Sequence, residues 1–142
     1  LMKTNIVLNR ATVSMEEAIK HAGGLLYNSG YVGEAYIAGM LAREEKFSTY
    51  IGNNVAIPHG ENSVKDCIIE SGIVVVQYPN GVSFGDGKLA KLVIGIAGKG
   101  NEHIQLLANI AEAIEDESIL EKMLTTNNPD YIYELFSSEG MM

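Results

Sequence analysis

A single cysteine, Cys67, stands in the 142 residues of the chain. One thiol excludes an internal disulfide and every zinc motif built on several cysteines. No stretch approaches the roughly 18 consecutive apolar residues of a membrane span, and the N-terminus lacks the apolar core of a signal peptide. The expectation is a cytoplasmic protein with no direct membrane insertion. Cationic side chains are few as well, 10 Lys and Arg against 18 Asp and Glu, for a net charge of −8. That balance opposes non-specific binding of nucleic acid or anionic membrane and suits a basic partner. Low-complexity tracts, repeats and linkers are missing, so the chain reads as one domain over residues 2–142. Leu1, ahead of Met2, is set aside as an added residue or a cut from a longer chain.

What is present is ordinary globular composition, 46% hydrophobic and 20% charged. A chain of this size buries roughly two-thirds of its unfolded surface without needing a staple. Residues 5–8, NIVL, read as a first strand, and Ser14 with Glu17 forms a capping box for a helix carrying Met15, Ala18, Ile19, Ala22, Leu25 and Leu26, ended around Asn28–Gly30. A second helix over about 34–46 places Tyr36, Met40, Arg43 and Phe47 on one stripe. Extended content follows at 48–57. GIVVVQY at 72–78 and KLVIGIA at 91–97 are β-branched runs of strands buried on both faces, with PNGVSFGDG between them as turn chemistry. Asn101 is read as the N-cap of a helix whose inner face carries Ile104, Leu107, Ala108, Ala111 and Ile114. A helix at about 116–125 comes next, and Asn128-Pro129 opens a last one with Tyr131, Ile132, Leu135 and Phe136. Strands enclosed by helices on both sides in sequence predict one α/β sandwich with a mostly buried central sheet.

Three histidines offer chemistry. His21, at the border of the first helix, reads as a surface or boundary residue. His59 differs, because Pro58 fixes its own φ and extends Ile57, while Gly60 is free to take positive φ and turn the chain away. The imidazole is thus presented on a stiff turn, as a structural histidine or a working one. His103 follows Asn101-Glu102 in the first turn of a helix, where unpaired N–H groups and the positive dipole end favour an anion. Arg43, alone on an apolar stripe, either snorkels to water or meets an anion, and its donor fork suits a phosphoryl group. The glycines of GVSFGDGK do not make a phosphate loop, since their gap is one residue too long and Leu89 stands where Ser or Thr is required. No close ligand spacing such as H-E-x-x-H points to a metal, and Cys67 within VKDCII reads as a small buried hydrophobe rather than a nucleophile.

IPHG at 57–60, QYPNGVSFG at 77–85 and LVIGIAGKGNEHIQLLANIAEAIEDESIL at 92–120 occur together and in this order. With them the chain resembles, over nearly its whole length, the enzyme IIA component of the phosphoenolpyruvate-dependent sugar phosphotransferase system (PTS), mannitol type of the mannitol/fructose family. The resemblance implies a central mixed β-sheet flanked by helices on both sides. It implies a phosphotransferase in which His59 accepts phosphate from the phosphohistidine of the carrier HPr and passes it to a cysteine of the EIIB domain of a sugar permease. By the same resemblance, His103 of NEHIQ assists, Arg43 of MLARE stabilises phosphoryl charge, and no nucleotide, metal or other cofactor is needed. A glutamate is expected six residues before His59, where this chain has Asn53. The apolar surround of His59 is expected to carry an acidic rim facing HPr. Two other readings stand beside this one: a regulatory IIA-like module, as in nitrogen-related phosphotransferase signalling or inside transcriptional regulators, and a plain small-ligand binding protein.

Overall fold

A computed structural model of the chain describes residues 2–138; Leu1 and residues 139–142, the latter the end of the expected domain, lie outside the described residues, as do the side chains of His103 and Ser138. The strands are β1 (Ile6–Val7), β2 (Tyr50–Gly52), β3 (Val55–Ala56), β4 (Gly72–Ser83) and β5 (Leu89–Ala97). The helices are α1 (Met15–Asn28), α2 (Ala35–Lys46), α3 (Glu102–Ala113), α4 (Glu117–Thr125) and α5 (Pro129–Ser138), with 3-10 turns at Lys3–Asn5 and Asn62–Cys67. None of these helices is long and apolar enough to cross a membrane. The sheet runs β1-β4-β5-β3-β2. It is mixed, since β1 lies parallel to β4 and β3 parallel to β5, while β4/β5 and β2/β3 are antiparallel.

Alternation along the two long strands divides the core. Ile73, Val75, Leu92, Ile94 and Ile96 face α3, α4 and α5, whereas Val74, Val76 and Val93 face α1 and α2. These strands are covered on both sides, which is why their sequences read as continuous apolar runs rather than alternating ones. Each fully buried Val or Ile contributes roughly 1.5–3 kcal/mol relative to exposure. The helices begin as their caps dictate. Ser14 Oγ accepts from Glu17 N–H at 3.1 Å, Asp116 accepts from Ser118 and Ile119 N–H, and Asn128 Oδ1 accepts from Asp130 N–H at 3.0 Å.

Several expectations are corrected. PNGVS is strand and not turn: Gln77 pairs with Leu92 and Val82 with Ala90, so β4 takes five steps (77 to 82) where β5 takes two (92 to 90). The bulge displaces Pro79 and Asn80 to the exposed surface, and the true reversal lies at Gly85-Asp86-Gly87, all at positive φ. A proline and a positive-φ glycine look the same in sequence whether they end a strand or bulge it. On α3 the buried residues are Ile110, Ala113 and Ile114 with Leu106 and Leu107 against them, while Ile104, Ala108 and Ala111 are exposed. Phe47 leaves the helical stripe as the extended C-cap of α2 and is 73% exposed. Asn101 occupies the cap position of α3 but makes no side-chain cap bond.

Candidate functional site

β3 and β5 run parallel, so the chain segments that follow them emerge at the same end of the sheet. After β3 comes Pro58-His59-Gly60, and after β5 come Gly98-Lys99-Gly100-Asn101, directly before α3. Both segments line an open groove of about 1070 Å³. α2 supplies its third wall. Helix and loop approach closely because position 39 is glycine: a Cβ there would stand 2.2 Å from Val64 Cγ2 in the 3-10 turn. That contact brings the face of α2 carrying Tyr36 and Arg43 against the histidine loop.

His59 is half-buried and forms a bridge with Ile96 at the end of β5. Its Nδ1 lies 2.8 Å from the carbonyl oxygen of Ile57. A carbonyl only accepts, so in the neutral ring Nδ1 carries the proton and the lone pair resides on Nε2. Pro58 is buried, and its carbonyl accepts from Ile96 N–H at 2.9 Å. Gly60 serves differently from the expectation. Its φ is not positive; glycine is required because a Cβ would stand 2.5 Å from Tyr36 Cε1.

Arg43 lines the same groove, with its guanidinium 5.8 Å from the centre of the Phe47 ring and Nη1 donating to the Phe47 carbonyl. Its neighbour Glu44 turns inward and is buried, accepting from Thr49 N–H at 3.0 and 3.1 Å and from the Thr49 hydroxyl. This clamp fastens the segment that bears the Phe47 carbonyl. His103 occupies the first turn of α3, two residues beyond groove-lining Asn101, while its side chain is outside the described residues. Ser71 Oγ accepts from Lys99 N–H at 2.9 Å and donates to Glu102 at 2.9 Å, fixing the entry into that helix.

The lining is more basic than the chain. Arg43, Lys46, Lys65 and Lys99 meet Glu61 and Asp66 there. Lys46 pairs with Glu61 at 2.7 Å, and this hydrogen bond, helped by Ser63, holds the Glu61 carboxyl below its ordinary range. The lining itself is therefore not acidic, while carboxylates such as Glu112, Glu115, Asp116 and Glu117 are exposed at the α3–α4 connection. Of the exposed large apolar side chains, Phe47 (73% exposed) lines the groove, while Ile69 and Ile104, each 60% exposed, follow the lining residues Ile68 and Asn101 by one and three positions.

The other candidates lie apart. His21 contacts Arg10 at 3.4 Å, and burial, then the Arg10 charge, lowers its pKa. Cys67 packs with the cluster on the α1/α2 side of the sheet. Asn53 is exposed in the β2–β3 reversal, where it and Asn54 take φ of 54° and 65°. Residues 55–58 separate that turn from His59, a span of about 16 Å along extended chain. Tyr36, Glu44 and the lysines were missed by sequence reasoning. Lys99 between two glycines was the one visible signal, because Gly-Lys-Gly before a helix marks a loop that presents a cation.

A family model described as "Phosphoenolpyruvate-dependent sugar phosphotransferase system, EIIA 2" matches residues 1–139. The chain is 45% identical over 137 residues to the mannitol-specific phosphotransferase enzyme IIA component of Bacillus subtilis (strain 168), covering 96% of each. It is 43% identical over 135 residues to the PTS system mannitol-specific EIICBA component of Escherichia coli (strain K12), of which it spans 21%. Among solved structures it is similar, at TM-score 0.92 and 41% identity over 97% of each chain, to that of a complex of enzyme IIAMTL and phosphorylated enzyme IIBMTL from Escherichia coli.

Proposed function

The chain belongs to the EIIA 2 family of the phosphoenolpyruvate-dependent sugar phosphotransferase system, and from that premise we propose that His59 is the residue through which it carries the phosphoryl group. The reading takes phospho-HPr as donor, a cysteine of an EIIB domain as acceptor, mannitol uptake as the purpose and the cytoplasm as the place. The relatives named for mannitol, and the structure of a IIA protein complexed with phosphorylated IIB, support it. The observation that carries it is the tautomer: Nδ1–H on the Ile57 carbonyl leaves the lone pair on Nε2 of a histidine that lines the basic groove with Arg43.

The chemistry follows from that arrangement. An imidazole with an ordinary pKa of about 6.5 is mostly neutral at cytosolic pH. The Nε2 lone pair attacks phosphorus in line; the new N–P bond forms as the N–P bond to the donor histidine breaks, and the donor ring leaves with that electron pair. Positive charge that develops on the His59 ring is stabilised by Nδ1–H against the Ile57 carbonyl. Arg43 is the stabiliser of charge spread over the phosphoryl oxygens, and His103 and the first-turn N–H groups of α3 assist it. Transfer to the EIIB thiolate reverses the roles, with His59 as leaving group. Incubation with phosphoenolpyruvate, enzyme I and HPr tests the reading by mass spectrometry. Wild type gains one phosphate and His59→Ala gains none; an equal gain in both chains removes His59 from the role.

A further inference from the structure

We propose that Tyr36 is a positioning residue for this site, its hydroxyl being built into the sheet beside His59 so as to set where the imidazole stands. The parallel bridge between His59 and Ile96 calls for two bonds from the Ile96 peptide groups, one to the residue before His59 and one to the residue after it. The first is direct, Ile96 N–H to the Pro58 carbonyl at 2.9 Å. The second pair of groups is joined through Tyr36. Gly60 N–H donates to Oη at 2.8 Å, and Oη donates to the Ile96 carbonyl at 2.8 Å. One residue of β5 thus holds both flanks of His59, once by its own N–H and once by way of a side chain from α2.

The ring is held as firmly as the hydroxyl. Tyr36 is 2% exposed, and Gly60 lies so close that any larger residue would strike it. Burial raises the phenol above the ordinary tyrosine range, so it remains a protonated donor through neutral pH. Arg43 stands seven residues further on the same helix, two turns or about 10 Å along it. A single rigid element therefore places both the charge partner and the brace of the nucleophile. Tyr36 borders the groove, but its hydroxyl is engaged by Gly60 N–H on one side and the Ile96 carbonyl on the other, so it acts through the backbone on either side of the imidazole.

The kinetic side of this inference rests on His59 as phosphoryl acceptor, whereas the structural side does not. Tyr36→Phe keeps the ring and removes the hydroxyl. With phospho-HPr as donor, its first-order transfer rate constant falls at least about tenfold while the donor concentration at half-saturation stays unchanged, as misplacement of a reacting group requires. The 15N signals of the His59 ring, read without any donor, shift from predominantly Nδ1–H towards a mixture of tautomers. Gly60→Ala, which keeps the hydroxyl but presses on the ring, changes both readouts in the same direction. A Tyr36→Phe chain with the wild-type rate constant, or with unchanged His59 ring signals, overturns the inference. Should wild type carry its phosphate elsewhere than His59, the functional reading falls, and the 15N signals still decide the role of Tyr36.

Discussion

A guanidinium at position 43 meets two demands, since its stem lies beside the apolar face of α2 and its head must stay near water or an anion. The structure satisfies both by placing Arg43 on the groove wall, stacked near Phe47 and donating to the Phe47 carbonyl. Arg43→Ala is expected to slow phosphoryl transfer by about 10²–10³-fold, the usual loss for one preorganised stabiliser of transition-state charge. Arg43→Lys recovers little of it, because an ammonium lacks the planar fork. Rapid-quench transfer from phospho-HPr measures both variants, and an Arg43→Ala rate within a factor of two of wild type would remove Arg43 from the mechanism. His59 was legible in sequence because proline and glycine on either side announce a constrained loop. Tyr36 was not, because a tyrosine on an apolar stripe looks like core. Its polar partners, Gly60 and Ile96, lie 24 and 60 positions away.

At the scale of elements, the β2–β3 reversal accounts for the residue that departs from the family expectation. Asn53 and Asn54 both adopt left-handed φ, and asparagine tolerates that region better than residues other than glycine. Asn53→Ala is expected to lower stability by about 1 kcal/mol, the order of the left-handed penalty. Transfer from phospho-HPr stays at the wild-type rate, because the turn lies at the other end of β3 from the groove. Chemical denaturation and transfer kinetics on one preparation check this, and a slowed transfer would restore a functional role to the position. The helices were legible wherever a cap and a single apolar stripe agreed, as in α1. α3 was mis-phased because IQLLANIAEAI at 104–114 is apolar on nearly every side, so its periodicity does not choose a face. Contact with β5 chooses it, leaving Ile104, Ala108 and Ala111 outward.

Over the whole molecule the charge is divided: a net −8 on the chain, against a groove lined by four cationic and two acidic side chains. The surplus carboxylates attract a basic partner at long range, and the groove cations act on the phosphoryl group at short range. Only the first of these is strongly screened, because the Debye length is about 10 Å at 0.1 M salt. Transfer from phospho-HPr at sub-saturating concentration is therefore expected to slow several-fold between about 0.02 and 0.3 M salt. The rate constant at saturation changes little. A sub-saturating rate that is flat in salt would rule out electrostatic steering.

The sequence alone determined what local chemistry can determine. Buried strands follow from β-branched runs, helix starts from Ser14 and Asn128, and a stiffly presented His59 from its flanking proline and glycine. Tertiary structure decided which distant groups meet. It set β3 parallel to β5, so that the loops after both strands open on one groove, and it let α2 close on them through Gly39. It also gave Gly60 its purpose. The expectation there was backbone freedom, which a dipeptide displays by itself; the requirement proved to be space against the Tyr36 ring, and space exists only once the chain has folded.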